Sequence, residues 1–189
     1  LIPSSKVIIN DRKAAMEAVQ HLIDKGCKKI AHIRGPQNPQ NAIDRFLGYK
    51  KALENNGISY DSKLVYNCKN VTFEEGVEFA KQIVADHPDV DGIFVITDLV
   101  AVGVLAYFNE KGIQVPNQIA VIGFSNWFMS QVITPKLSTV DQPSYEMGVA
   151  AFTLLLEEMI CHKEGRVFHP RTIELETTVI ERDSSLKIN

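Results

Sequence analysis

The chain has 189 residues, 45% of them hydrophobic and 23% charged, and carries a formal net charge of −3. That length supports a packed core, and a slightly acidic balance without a basic run gives no sign of a surface built for nucleic acid. No apolar stretch approaches the roughly 20 residues that cross a bilayer, so no membrane partner is expected. Cys27, Cys68 and Cys161 lack metal-site or disulfide spacing and fit a reducing compartment.

In chain order, Val7 to Ile9 is a short apolar run. Asn10 or Asp11 can then cap a helix with Ala15, Val19, Leu22 and Ile23 at helical spacing, ended by Gly26. Lys29 to Ile33 reads as a buried strand leading into the loop GPQNPQN. Asn41 is placed to cap the next helix, whose Phe46, Tyr49 and Leu53 share a face, with Gly57 as terminator. Leu64 to Tyr66 is a weak strand. Thr72 and Glu75 form a capping box for a helix bearing Phe73, Val77, Ala80 and Val84.

Two β-branched runs, Gly92 to Ile96 and Ile119 to Ile122, read as strands buried on both faces. Between them Asp98 is placed to cap a helix that is apolar nearly all round, so a second apolar side must meet a subunit partner or further internal packing. Ser144 to Ile160 reads as a long helix with Met147, Ala151, Leu154 and Leu155 inward, and Thr172 to Ile180 as one strand. The order βα, repeated about five times, predicts an α/β fold with a parallel, Rossmann-like sheet. Ligands collect at the carboxyl ends of such strands, where Thr97-Asp98 and Ser125-Asn126 fall.

The segments AVQHLIDKGCKKIAHIRGP, DRFLGYKKALENNGI, VITDLVAVGVL, GIQVPNQIAVIGFSN, PKLSTVDQPSYEMG and TTVIERDSS stand in an order and spacing that resemble the effector-binding domain of the lactose/galactose repressor (LacI/GalR) family. The resemblance implies a periplasmic-binding-protein-like type I architecture of two α/β lobes, crossed three times by the chain. On that pattern residues 27–141 and 171–183 belong to a nearly complete C-terminal lobe. Residues 1–26 and 142–163 belong to a partial N-terminal lobe, and a DNA-binding headpiece is absent. The implied function is a cytoplasmic, homodimeric, non-enzymatic transcriptional regulator. A sugar or sugar phosphate bound between the lobes would modulate its operator binding through that headpiece, with no cofactor. The alternative is a periplasmic sugar-binding protein of the same fold, to be distinguished by whatever precedes Leu1.

The candidate effector residues are Arg45, Phe73, Thr97, Asp98, Ser125, Asn126, Trp127 and Gln142. By chemistry alone Arg45 reads equally as a salt bridge with Asp44 or a solvated cation; the resemblance places an effector contact there. Asp98 has helix capping as its plain reading. Thr97 stands where the family usually has Asn, and Ser125-Asn126 replaces a commonly acidic residue. Trp127 can stack on a sugar ring or plug a hydrophobic surface. Phe73 suits a ligand contact or the core. Gln142, before Pro143, lies on an expected crossing between lobes. The chain contains no GxSxG, HExxH, phosphate-binding loop or GxGxxG pattern, and its five histidines are dispersed, which leaves catalysis, and an α/β enzyme, without a foothold.

Overall fold

The computed structural model describes residues 4–186. The elements are β1 (Lys6–Ile9), α1 (Asp11–Asp24), β2 (Ile30–Arg34), α2 (Gln40–Asn55), β3 (Val65–Asn67), α3 (Phe73–Asp86), β4 (Gly92–Val95), α4 (Asp98–Lys111), β5 (Ala120–Ile122), α5 (Met129–Val132), β6 (Thr139–Asp141), α6 (Ser144–Lys163), β7 (Thr172–Leu175) and β8 (Thr178–Ile180). They form two compact units. One comprises Asp11–Asp141 with the segment from Thr178, the other the residues up to Asn10 with Gln142–Thr177. The chain therefore passes from one unit to the other three times.

The larger unit is organised on a parallel sheet of strand order β3-β2-β4-β5. Single parallel bridges, Ile122 to Ser138 and Ser125 to Asp141, continue it towards β6, and β8 runs antiparallel to β6. All five residues of β2 are buried because both sheet faces are covered. On one face Ala31 and Ile33 join a cluster with Ala80, Ile83, Val100 and Val104 from α3 and α4. On the other, His32 stacks on Tyr49 of α2 and on Phe94. Helices α3 and α4 meet backbone to backbone. A β-carbon at Gly76 would lie 2.1 Å from the Val100 carbonyl oxygen, and one at Gly103 would lie 2.1 Å from that of Phe73. The second apolar side of α4 is thus largely met by internal packing, although Leu99 stays exposed.

Three expectations change on folding. Residues 172–180 do not form one strand: β7 pairs in parallel with β1 in the smaller unit, whereas β8 pairs with β6 in the larger. Helix α1, expected with the first ten residues, lies in the larger unit against α2, where Gly48 lets the Arg12 backbone approach. Of the four α6 residues expected to face inward, Leu154 alone is buried and Leu155 is 53% exposed. The small β1–β7 ladder cannot cover a 20-residue helix that is apolar on several sides. Helix α2 also begins two residues earlier than an Asn41 cap would set, with Pro39 in the cap position.

Two outcomes test this core. A valine at Gly103 must push α3 from α4, so Gly103→Val should cost about 1–3 kcal/mol in urea unfolding. Burial also drives the His32 pKa down to about 3, helped by Arg34 and Arg45 and opposed by its bond to the Phe94 carbonyl. An unfolded histidine takes up its proton near 6.5, so between those values only the unfolded chain is protonated here. Stability should therefore fall on acidification below pH 6.5, by up to about 1.4 kcal/mol per pH unit from this group. His32→Phe should flatten that slope in unfolding curves recorded from pH 7 to 4.

Candidate functional site

The carboxyl ends of β2, β4 and β5 lie along one edge of the larger unit's sheet, and the segments leaving strands at this edge carry strained backbone. Val71, after β3, has φ +58°, and Ser125 and Asn126, after β5, have φ +118° and +51°. Positive φ costs a β-branched valine most, and such strain persists only where surrounding contacts impose it.

Asp98 occupies the centre of this edge. It is not the N-cap of α4; Thr97 holds that position, without a capping side-chain bond. Instead the Asp98 carboxylate crosses to the β5 side, accepting 2.6 Å from the Thr139 hydroxyl and 2.7 Å from the Trp127 backbone N–H. The crossing requires Gly123, where a β-carbon would fall 2.2 Å from Asp98 Oδ1. Burial pushes the Asp98 carboxyl above its usual range, opposed by those two hydrogen bonds and by Arg182.

Arg45 is also buried, but its partner is not Asp44. Its Nε donates 2.7 Å to Asp11, its Nη1 donates 2.8 Å to the Ile96 carbonyl, and its guanidinium lies 3.6 Å above the Phe124 ring. Asp44 turns instead to Arg12 and Gln40. Burial lowers the Arg45 pKa from its usual value while Asp11 opposes the shift, so the guanidinium keeps its charge. Among the described residues no bond engages Nη2. Close in sequence to the Ile96 carbonyl, the Thr97 hydroxyl is sealed from solvent without a hydrogen-bond partner. An unmet buried hydroxyl is costly and suits a site that receives a polar ligand.

The remaining candidates separate by what they touch. The Asn126 amide is engaged within the fold: Oδ1 accepts from Arg182 at 2.7 Å, and Nδ2 donates 2.7 Å to Asp141. Ser125 donates its backbone N–H to the Val140 carbonyl. Trp127 is 48% exposed, with its backbone pinned by Asp98. Phe73 opens α3 beside the capping box of Thr72 and Glu75, half-buried, with its carbonyl against Gly103. The structure therefore brings Arg45, Thr97, Asp98 and the 125–127 loop to one edge. Gln142 begins the other unit, its carbonyl accepting from the Ser144 N–H.

Sequence reasoning missed Asp11, Phe124, Thr139, Asp141 and Arg182. Arg182 donates to Asn126, to Ser130 and to the Leu137 carbonyl, and so holds the 125–130 segment in place. It lies in the segment TTVIERDSS, but nothing in spacing connects it with residues 52 or 56 positions away. Among the described residues, no three His, Cys, Asp or Glu side chains gather as metal ligands, and no helix is long and apolar enough to cross a membrane.

Residues 19–185 match the model of the periplasmic binding protein-like domain family. Catabolite control protein A of Priestia megaterium is 38% identical over 160 residues, covering 84% of this chain and 47% of that protein. A solved complex of the transcriptional regulator CelR with cellobiose superposes with TM-score 0.88 at 31% identity, covering 96% of this chain and 54% of that one. A LacI-family regulator from Enterococcus faecium with bound ribose gives TM-score 0.87 at 25% identity, covering 100% and 68%. The chain spans about half the length of the curated relatives it matches.

Removing the Asp98 carboxylate strands the Thr139 hydroxyl and the Trp127 N–H together. Asp98→Ala should cost about 2–3 kcal/mol in denaturant unfolding and change the emission of Trp127, the only tryptophan. Thr139→Val should add much less in the Asp98→Ala background than alone.

Proposed function

Because this chain belongs to the periplasmic-binding-protein-like domain family, in the form carried by LacI-type regulators, we propose that it is the small-molecule-sensing part of a cytoplasmic, non-enzymatic bacterial transcriptional regulator. The ligand class is a sugar or sugar phosphate. The observation that carries this reading is the pairing of Arg45, whose Nη2 is uncommitted, with the partnerless Thr97 hydroxyl at the carboxyl edge of the sheet. Adjacent sugar hydroxyls both accept from a guanidinium and donate to a hydroxyl oxygen. The half-exposed Trp127 ring supplies an apolar surface on which a pyranose or furanose can stack. Cellobiose and ribose in two of the superposed regulators support the same class.

A route outward from the ligand is built into the larger unit. The loop carrying Trp127 is tied through Asn126 to Asp141, the last residue before the chain leaves that unit. Ligand that orders the loop biases that exit, and a separate operator-binding segment reads the bias as coupling, typically about 1–3 kcal/mol. We further propose that the regulator works as a homodimer, supported by the exposed Leu99, Phe128 and Val132 on the larger unit.

The test is a thermal-shift series on the full-length regulator with cellobiose, ribose and their phosphates. A ligand at a hundredfold over its Kd should add about 2.7 kcal/mol of stability and change Trp127 emission. Thr97→Val and Arg45→Lys should each abolish most of that gain while the unliganded protein stays folded. Sugar responses that persist undiminished in both variants would remove the site from this edge, and no response to any sugar would remove the ligand class.

A further inference from the structure

A second cationic feature lies outside the contacts described so far. Arg34 closes β2 beside the edge strand β3, where it stands opposite Asn67 in register. It is 92% buried by residue surface, being 8% exposed, and its Nε is sealed off without a hydrogen-bond partner. No carboxylate reaches it among the described residues. The guanidinium instead lies 4.3 Å over the Phe46 ring of α2. Lys50, one turn further along α2, flanks the same ring at 5.7 Å and lies 4.6 Å over the ring of Tyr60, itself 40% exposed. The acids close in sequence are committed elsewhere: Asp61 accepts from the Lys63 N–H and Glu54 pairs with Lys51.

The contrast with Arg45 is informative. That buried guanidinium has Asp11 as counter-charge, whereas Arg34 has the Phe46 ring, which Lys50 also flanks, and an unused donor. Burying a cation without an anion is unfavourable, and cation–π contact offsets only part of the loss. We infer that Arg34, Lys50 and Tyr60, arranged around Phe46, form a second binding site, for a small oxyanion such as a phosphate or carboxylate group. Arg34 would donate from its amino nitrogens, Lys50 would supply a point charge, and the Tyr60 hydroxyl a further donor. Every residue of the site belongs to the larger unit, and it shares no side chain with the proposed sugar site.

The intact protein, labelled with nitrogen-15, is titrated with inorganic phosphate while the Arg34 Nε–H resonance is followed. Sodium acetate forms a parallel arm and sodium chloride at matched ionic strength the control. A saturable shift of Arg34 Nε–H with phosphate, acetate or both, beyond that given by chloride, supports the site and names the preferred oxyanion. Lys50→Gln should then weaken binding roughly tenfold, the loss of one charge-assisted contact, and Arg45→Lys should leave it unchanged. An Nε–H that moves no further with either oxyanion than with chloride overturns the inference. So does phosphate binding that survives Lys50→Gln and disappears in Arg45→Lys, because the anion would then sit at the sugar site.

Discussion

A carboxylate removed from water is stable only where donors surround it, and at Asp98 those donors come from two other stretches of chain. The Thr139 hydroxyl comes from β6 and the Trp127 N–H from the loop after β5, with Gly123 keeping the path clear. This arrangement decides how β4, β5 and β6 meet at their functional edge. It fixes the start of α4, anchors the only tryptophan and draws β6 to the sheet where regular pairing has given way to single bridges. The price is a carboxyl group whose affinity for protons is raised by burial, and the neighbouring Arg182 lessens that penalty without bonding to it.

Arg45 extends the same logic to the other side of the edge. Its guanidinium links the first residue of α1 to the end of β4 and lies on Phe124 beyond β5, so one side chain joins three elements remote in sequence. Around these two charges the polar groups sort into those consumed by the fold, such as the Asn126 amide, and those left available, such as the Thr97 hydroxyl. A binding reading rests on the second group. Asn126 had looked like a ligand contact because of its position, but its hydrogen-bonding capacity is largely spent on Arg182 and Asp141.

The buried strands, the α3 capping box and the carboxyl edge of the sheet were legible in the sequence because each rests on local chemistry: β-branched runs, a Thr-x-x-Glu spacing, small polar residues after a strand. Arg45 was singled out through resemblance and Thr97 through its place after a strand, and the structure puts both at the carboxyl edge of the sheet. What stayed hidden was pairing over distance. Nothing in residues 172–180 marks the change of partner between Leu175 and Thr178, since both halves alternate as strands do. Asp11 looked like a helix-capping residue, and Arg182 stood within the segment TTVIERDSS without a role of its own. The all-round apolar character of α6 misled in another way, because periodicity reports which residues are apolar and not what covers them; within its own unit little does.

The glycine contacts between α3 and α4 have a mechanical meaning. With the Phe73 carbonyl seated on Gly103 and the Val100 carbonyl on Gly76, no side chain separates the two helices at these two points. There backbone bears directly on backbone. A tilt of α4 at Thr97 and Asp98 would press first on the start of α3, where Phe73 and the strained Val71 sit, so the loops after β3 and β4 are joined by a backbone contact with little room to give.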